Sequence, residues 1–115
     1  MNLLADQSFP ASVELNALTD LRVWRWSNEG LTDTELLEAA NGDFSGVIFL
    51  GTAPLHSSEL RNQARRLGLA LIGTAEADPV VAATSLGLNL HALSRLVTPG
   101  ALLAVYAREV RPFHV

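Results

Sequence analysis

Short apolar segments of strand length alternate along the chain with longer segments in which apolar residues recur at helical spacing. The strand-like segments are NLLA at 2–5, LRVWRWS at 21–27, GVIFLG at 46–51, LALIG at 69–73, ALLAVYA at 101–107 and VRPFHV at 110–115. GVIFLG is almost continuously apolar, as expected for a strand that is buried on both faces of a sheet. The alternation predicts an α/β protein with a mainly parallel sheet and helices on both faces.

Helix start and stop signals lie between the predicted strands. Thr32 and Glu35 have the spacing of a capping box, and Gly42 is placed to end the helix that follows. Another helix is predicted from about Ser57 to Leu67, with Gly68 as its stop. These two segments are the most clearly signalled helices in the sequence.

The ends of the chain carry the remaining signals. A first helix is predicted over 10–19, with a proline in its first turn. Asp78 and Pro79 have the order of an N-cap and a first-turn proline, and they open a helical stretch that we expect to break near Asn89. The last two strands are joined by a tight turn near Arg108, which predicts a short antiparallel hairpin at the C-terminal end.

The composition is that of a folded protein. With 115 residues, the chain is predicted to form a single domain over 1–115, and 49% apolar with only 17% charged residues excludes disorder. The absence of cysteine excludes disulfides, thiolate metal sites and thiol catalysis.

No basic stretch precedes the first apolar residues, and no apolar run approaches the roughly 20 residues that cross a bilayer. We therefore expect a cytoplasmic protein that has no contact with membranes.

The charge limits the possible partners. A net charge of −4 disfavours broad electrostatic binding of duplex DNA, which requires a basic surface. It does not exclude RNA cleavage, because a metal-dependent phosphodiesterase is locally acidic. Arg61 and Arg65 lie on one flank of a predicted helix and are candidates for binding a phosphate backbone, although a solvated helix face explains them equally well.

Acidic residues follow several of the predicted strands. Asp6 follows the first strand, Asp33 begins the helix after the second, and Glu76 and Asp78 follow the fourth. Ligands bind beyond the carboxyl ends of parallel strands, so these carboxylates are predicted to share one edge of the sheet. Repelling carboxylates that are held together imply a hard cation, Mg²⁺ or Mn²⁺.

Each acid also has a structural explanation. A single aspartate at the end of a strand is a common turn residue, which is the alternative for Asp6. Asp33 and Glu35 lie in the first turn of a helix, where the helix dipole favours negative charge, and Glu35 has the spacing of a capping residue. Asp78 before a proline is typical of an N-cap.

Three segments resemble a known family. LLADQSFP, GLTDTELL and the ending GALLAVYAREVRPFHV are similar to the opening, middle and closing segments of short PIN-like domain proteins, which are relatives of VapC-type ribonuclease toxins. The resemblance implies a three-layer α/β/α sandwich with a mainly parallel central sheet. It also implies a magnesium-dependent ribonuclease site in which Asp6 and Asp33 match the first and second acids.

The third acidic motif of that family has two possible positions. After the third strand it aligns with GTAPLH, which places Ala53 and Leu55 where acids are expected. After the fourth strand it aligns with TAEADP, which keeps Glu76 and Asp78 at the right spacing but lies beyond an extra strand and helix. The second alignment preserves the chemistry only if the strands are adjacent.

Three functions remain open from the sequence. The first is a magnesium-dependent endoribonuclease that acts on single-stranded RNA, as the toxin of a toxin–antitoxin pair. Asp6, Asp33 and Asp78 would be its catalytic residues, and Glu76 would be a further metal ligand. The second is a PIN-like protein that has lost catalysis and acts as a binding or regulatory module. The third is a structural protein that forms a homodimer through the edge of the C-terminal hairpin.

Overall fold

The structure is a computed structural model, and it describes residues 1–10, 21–26 and 30–114. Six strands form one sheet: β1 (Asn2–Ala5), β2 (Arg22–Arg25), β3 (Gly46–Phe49), β4 (Ala70–Thr74), β5 (Leu102–Val105) and β6 (Val110–Pro112). Their spatial order is β2-β1-β3-β4-β5-β6. The first five strands are parallel, and β6 pairs with β5 in the antiparallel direction. The predicted α/β class, the mainly parallel sheet and the closing hairpin are therefore confirmed.

Four α-helices connect these strands: α1 (Asp33–Ala40), α2 (Ser58–Leu67), α3 (Pro79–Leu88) and α4 (Leu90–Leu96). The helix predicted over 10–19 lies outside the described residues, except for its first position. A short 3-10 helix, Ala53–His56, precedes α2 and was not predicted. Within the described ranges, no helix is long and apolar enough to cross a membrane.

The core consists of two groups of apolar side chains, which follow the alternation of side chains along the strands. One group contains Leu3 and Ala5 of β1 together with residues of α3 and α4. The other contains Leu4 of the same strand together with residues of α1 and α2. Helices therefore cover both faces of the sheet, which we call the α3–α4 face and the α1–α2 face.

Local sequence signals fix the ends of the helices. The Thr32 hydroxyl accepts a hydrogen bond from the backbone N–H of Glu35, and the Glu35 carboxylate accepts one from the backbone N–H of Thr32, so the predicted capping box is present. Gly68 ends α2 in the left-handed conformation, with φ of 71°. Asn89 separates α3 from α4, and its side-chain amide donates to the carbonyls of Ser85 and Tyr106.

Candidate functional site

Asp6 lies at the carboxyl edge of the sheet, one residue beyond β1. Its backbone N–H donates to the carbonyl of Ile48 in β3 at 2.9 Å, which extends the parallel pairing past the last residue of the strand. On the other side of β1, the N–H of Trp26 donates to the carbonyl of Ala5 at 2.8 Å. Asp6 is thus positioned by the two strands that flank β1.

The Asp6 side chain also takes part in a turn. Its Oδ2 accepts a 2.6 Å hydrogen bond from the Ser8 hydroxyl, and its carbonyl accepts one from the N–H of Phe9 at 3.1 Å. The structural alternative for Asp6 is therefore present in the fold. No described residue donates to Oδ1, so one oxygen of this carboxylate has no partner within the described ranges.

Asp33 is the first residue of α1, one position inside the N-cap. The N-cap is Thr32, whose hydroxyl satisfies the N–H of Glu35 at 3.2 Å. The Asp33 carboxylate is therefore not needed to cap the helix. No described residue donates a hydrogen bond to it.

Asp6 and Asp33 are close enough to interact through their charges. Partial burial of its carboxyl, and then repulsion by the Asp6 carboxylate, raise the pKa of Asp33 above its ordinary value. Asp33 is exposed as a residue, yet neighbouring protein atoms displace part of the water around its carboxyl group. The two residues that match the first and second acids of the PIN-like pattern are therefore near enough for their charges to interact.

The other two predicted metal ligands do not join this pair. The Asp78 Oδ1 atom accepts hydrogen bonds from the backbone N–H groups of Val80 and Val81, both at 3.0 Å, which makes Asp78 the N-cap of α3. Glu76 lies in the same loop, where its backbone carbonyl accepts a 2.7 Å hydrogen bond from the Thr74 hydroxyl. Among residues 1–10, 21–26 and 30–114, no three acidic or histidine side chains form a group that could hold a metal ion.

The topology explains this separation. Strand β3 lies between β1 and β4, so Asp6 and the loop that contains Glu76 are two strands apart in the sheet. In addition, Asp33 begins a helix on the α1–α2 face, whereas Asp78 begins one on the α3–α4 face. The described residues therefore include no group in which all four predicted carboxylates come together. In the alternative alignment of the third motif, Leu55 is fully buried and belongs to the core.

The two arginines proposed to bind phosphate have different surroundings. The Arg61 Nη1 atom donates to the carbonyl of Leu55 at 2.9 Å and thereby closes the end of the 3-10 helix. Arg65 packs against Gly100, where an added Cβ would lie 3.6 Å from the Arg65 Cγ atom. Gly100 precedes β5, which places Arg65 near the amino edge of the parallel strands, away from Asp6.

A groove between α1 and α2, which the sequence analysis did not identify, has a volume of about 620 Å³. Its lining includes Trp26, Leu31, Glu35, Glu38, Ala39 and Gln63. Gln63 occupies a helical position beside the apolar residues Leu60 and Ala64 and is only 9% exposed. A polar residue within an otherwise apolar stripe was the sequence signal for this groove.

Comparisons of the chain with protein-family models, with curated proteins and with solved structures find no match.

Proposed function

We propose that this chain is a PIN-like protein, with the three-layer α/β/α sandwich of that family, and that it binds a divalent cation, Mg²⁺ or Mn²⁺, between Asp6 and Asp33. The observation that carries the proposal is the charge interaction of these two residues at the carboxyl edge of the sheet. The pKa of Asp33 is raised by desolvation and, to a smaller extent, by repulsion from Asp6. A cation would offset that repulsion and would use carboxylate oxygens that no described residue occupies.

The donor set fits a hard cation that keeps part of its water shell. Mg²⁺ is often bound through one or two carboxylates and retains several waters. Ser8 fixes the orientation of the Asp6 carboxylate through Oδ2 and leaves Oδ1 for the ion. Asp33 is held by the first turn of α1, which Thr32 caps. The two ligands therefore come from backbone that is already ordered.

The activity proposed for this site is endonucleolytic cleavage of single-stranded RNA. When bound, a divalent cation activates a water molecule and stabilises the leaving oxygen of a phosphodiester. Asp6 and Asp33 hold the ion and neutralise its charge. Asp78 is left out of the catalytic set because its carboxylate caps α3. The antitoxin partner is a part of the proposal that depends on the family resemblance alone, and the cytoplasmic location is the expectation drawn from the sequence.

A second candidate is a PIN-like binding or regulatory module without catalysis. The observation that favours it is that the described residues contribute two acids, and not three, to the candidate cation site.

Homodimerisation through β6 is less favoured. This edge strand has only three residues and carries the exposed Arg111 and Pro112, features that protect sheet edges from pairing.

A cation titration followed by thermal denaturation tests the site. If the ion binds only the native state, an ion concentration one hundred times its Kd stabilises the protein by about 2.7 kcal/mol. We expect this stabilisation in the wild type and its loss in Asp6→Asn and Asp33→Asn. Asp43→Asn is the matched control, since it removes the same charge from an exposed residue before β3, at the opposite edge of the sheet.

Cleavage of a fluorogenic single-stranded RNA in Mn²⁺ then separates the two candidate functions. The ribonuclease proposal requires cleavage by the wild type and by Asp43→Asn, but not by Asp6→Asn purified in the same way. Stabilisation by the cation without cleavage would select the binding module. If the cation stabilised none of the proteins, the cation site and the ribonuclease would be rejected.

A further inference from the structure

The groove between α1 and α2 combines apolar walls with negative charge. Its volume of about 620 Å³ lies within the range of roughly 300–1,000 Å³ that is typical of small-molecule sites. Trp26, Leu31 and Ala39 supply aromatic and aliphatic surface, and Glu35 and Glu38 supply two carboxylates. The described lining residues include no positively charged side chain, so the groove favours a cationic ligand over an anionic one.

Both carboxylates keep one oxygen without a donor among the described residues. Glu35 uses Oε1 for both of its hydrogen bonds, which come from the backbone N–H and the hydroxyl of Thr32 at 3.1 and 2.9 Å. Glu38 likewise uses Oε1 for Gln63 Nε2 at 3.3 Å and for Arg66 Nη2 at 3.2 Å. The hydrogen bonds from Thr32 lower the pKa of Glu35, which keeps this carboxylate ionised.

Two buried polar atoms on the groove residues are also unpaired. Gln63 donates through Nε2 to the carbonyl of Thr34 at 2.9 Å and to Glu38, and because both partners are acceptors, the amide can have only this orientation. Among the described residues, Gln63 Oε1 is buried and has no donor, and Trp26 Nε1 is buried and has no acceptor. A buried polar group without a hydrogen bond is unfavourable, so this wall of the groove keeps unused hydrogen-bonding capacity next to the two carboxylates.

We propose that this groove binds a guanidinium compound. A guanidinium group is a planar cation with five N–H donors, so it matches the free oxygens of Glu35 and Glu38, and its flat face stacks on tryptophan. Leu31 and Ala39 contact the alkyl chain. An alkylammonium binds less well, since it is a strongly hydrated point charge that cannot stack.

The two indole N–H signals in a ¹H–¹⁵N NMR spectrum test this site. Trp26 lines the groove. Trp24 lies two residues earlier, in β2, donates from Nε1 to Asn2 Oδ1 at 3.3 Å and serves as an internal control. Butylguanidinium should shift the Trp26 signal in a saturable way and leave the Trp24 signal in place. Trp24→Phe assigns the two signals. Butylurea, the neutral analogue, should bind about tenfold more weakly, because it lacks the charge.

Two variants distinguish a binding site from a surface effect. Glu35→Gln keeps the capping box, because glutamine serves at that position, and should weaken butylguanidinium binding about fivefold. Glu109→Gln removes the same charge from the β5–β6 turn and should leave the affinity unchanged. Ala39→Phe should abolish binding by filling the groove without removing a hydrogen bond. Equal binding of butylurea, or wild-type affinity in both groove variants, would overturn the proposal.

A last titration identifies the source of the guanidinium group. N-acetyl-arginine amide carries the same cation together with a carbonyl that can accept from Trp26 Nε1. Tighter binding than that of butylguanidinium would assign the natural ligand as an arginine within a peptide chain. Equal or weaker binding would assign it as a free guanidinium compound.

Discussion

Two aspartates, Asp33 and Asp78, follow parallel strands and begin helices on opposite faces of the same sheet, but their carboxylates are used differently. The Asp78 carboxylate caps α3 by accepting the N–H groups of Val80 and Val81. In α1 the cap is Thr32, so the carboxylate of Asp33 is left to interact with Asp6. The difference teaches that an aspartate at the start of a helix is available to a ligand only when another residue caps that helix.

The carboxylates of Asp78 and Asp33 also have opposite effects on the stability of the fold. The Asp78 carboxylate lies where its charge satisfies two backbone donors, so its position stabilises the fold. The charge of Asp33 lies in a partly desolvated position next to a like charge, which raises its pKa and opposes folding at neutral pH. Groups that oppose folding in this way are concentrated at functional sites. Asp33 is therefore a candidate for a functional role, whereas Asp78 has a structural one.

Among the substitutions that test this difference, the largest effect on stability is expected at Asp78, the N-cap of α3. Asp78→Ala should lower the free energy of unfolding by about 1 kcal/mol, because two N–H groups of α3 lose their acceptor. Asp78→Asn should be close to neutral, because asparagine caps equally well. Urea denaturation measures both variants. Loss of the stabilisation by Mn²⁺ in Asp78→Asn would contradict the separation of Asp78 from the cation site.

A smaller effect of opposite sign is expected at Asp33. A pKa above the ordinary value of 3.8 means that the folded state holds its proton more tightly, so stability falls as pH rises through the window between 3.8 and the raised pKa. Asp33→Asn removes this loss and should therefore be more stable than the wild type at pH 7 without divalent cations. The gain should be below about 1 kcal/mol, because the residue is exposed.

Thermal denaturation at pH 7 and at pH 3 measures this gain. It should be present at pH 7 and absent at pH 3, where Asp33 is protonated in both states. Asp43→Asn, which removes an exposed acid at the other edge of the sheet, should show no such pH-dependent gain. A destabilised Asp33→Asn at pH 7 would show that the helix dipole outweighs the repulsion by Asp6.

Much of the fold could be predicted because its signals are local. The predicted bounds of β1 match the structure, and the capping box at Thr32 and the stop at Gly68 lie where the sequence places them. The fully buried β3 appears in the sequence as a continuous apolar run. The 3-10 helix Ala53–His56 was missed because a single short turn has no periodic pattern.

The site was only partly predictable, because it depends on the order of strands in space. The sequence places Asp6 and Asp33 after strands but does not specify that β3 separates β1 from β4. The sequence therefore could not show that the loop of Glu76 lies two strands away from Asp6. The role of Asp78 was visible in the sequence, since aspartate before proline is an N-cap pattern. The groove at Gln63 was missed because it depends on how α1 and α2 pack together.

The smallest expected effect concerns the pKa of Asp33 in the Asp6→Asn variant. Removing the Asp6 charge should lower this pKa only part of the way to its ordinary value, because desolvation is the larger cause of the shift. A ¹³C carboxyl titration measures it. The pKa of Glu35, lowered by hydrogen bonds from Thr32, should not change and serves as the control on the same helix. An Asp33 pKa that did not respond to Asp6→Asn would remove the interaction on which the cation site depends, even if the cap at Asp78 behaved as expected.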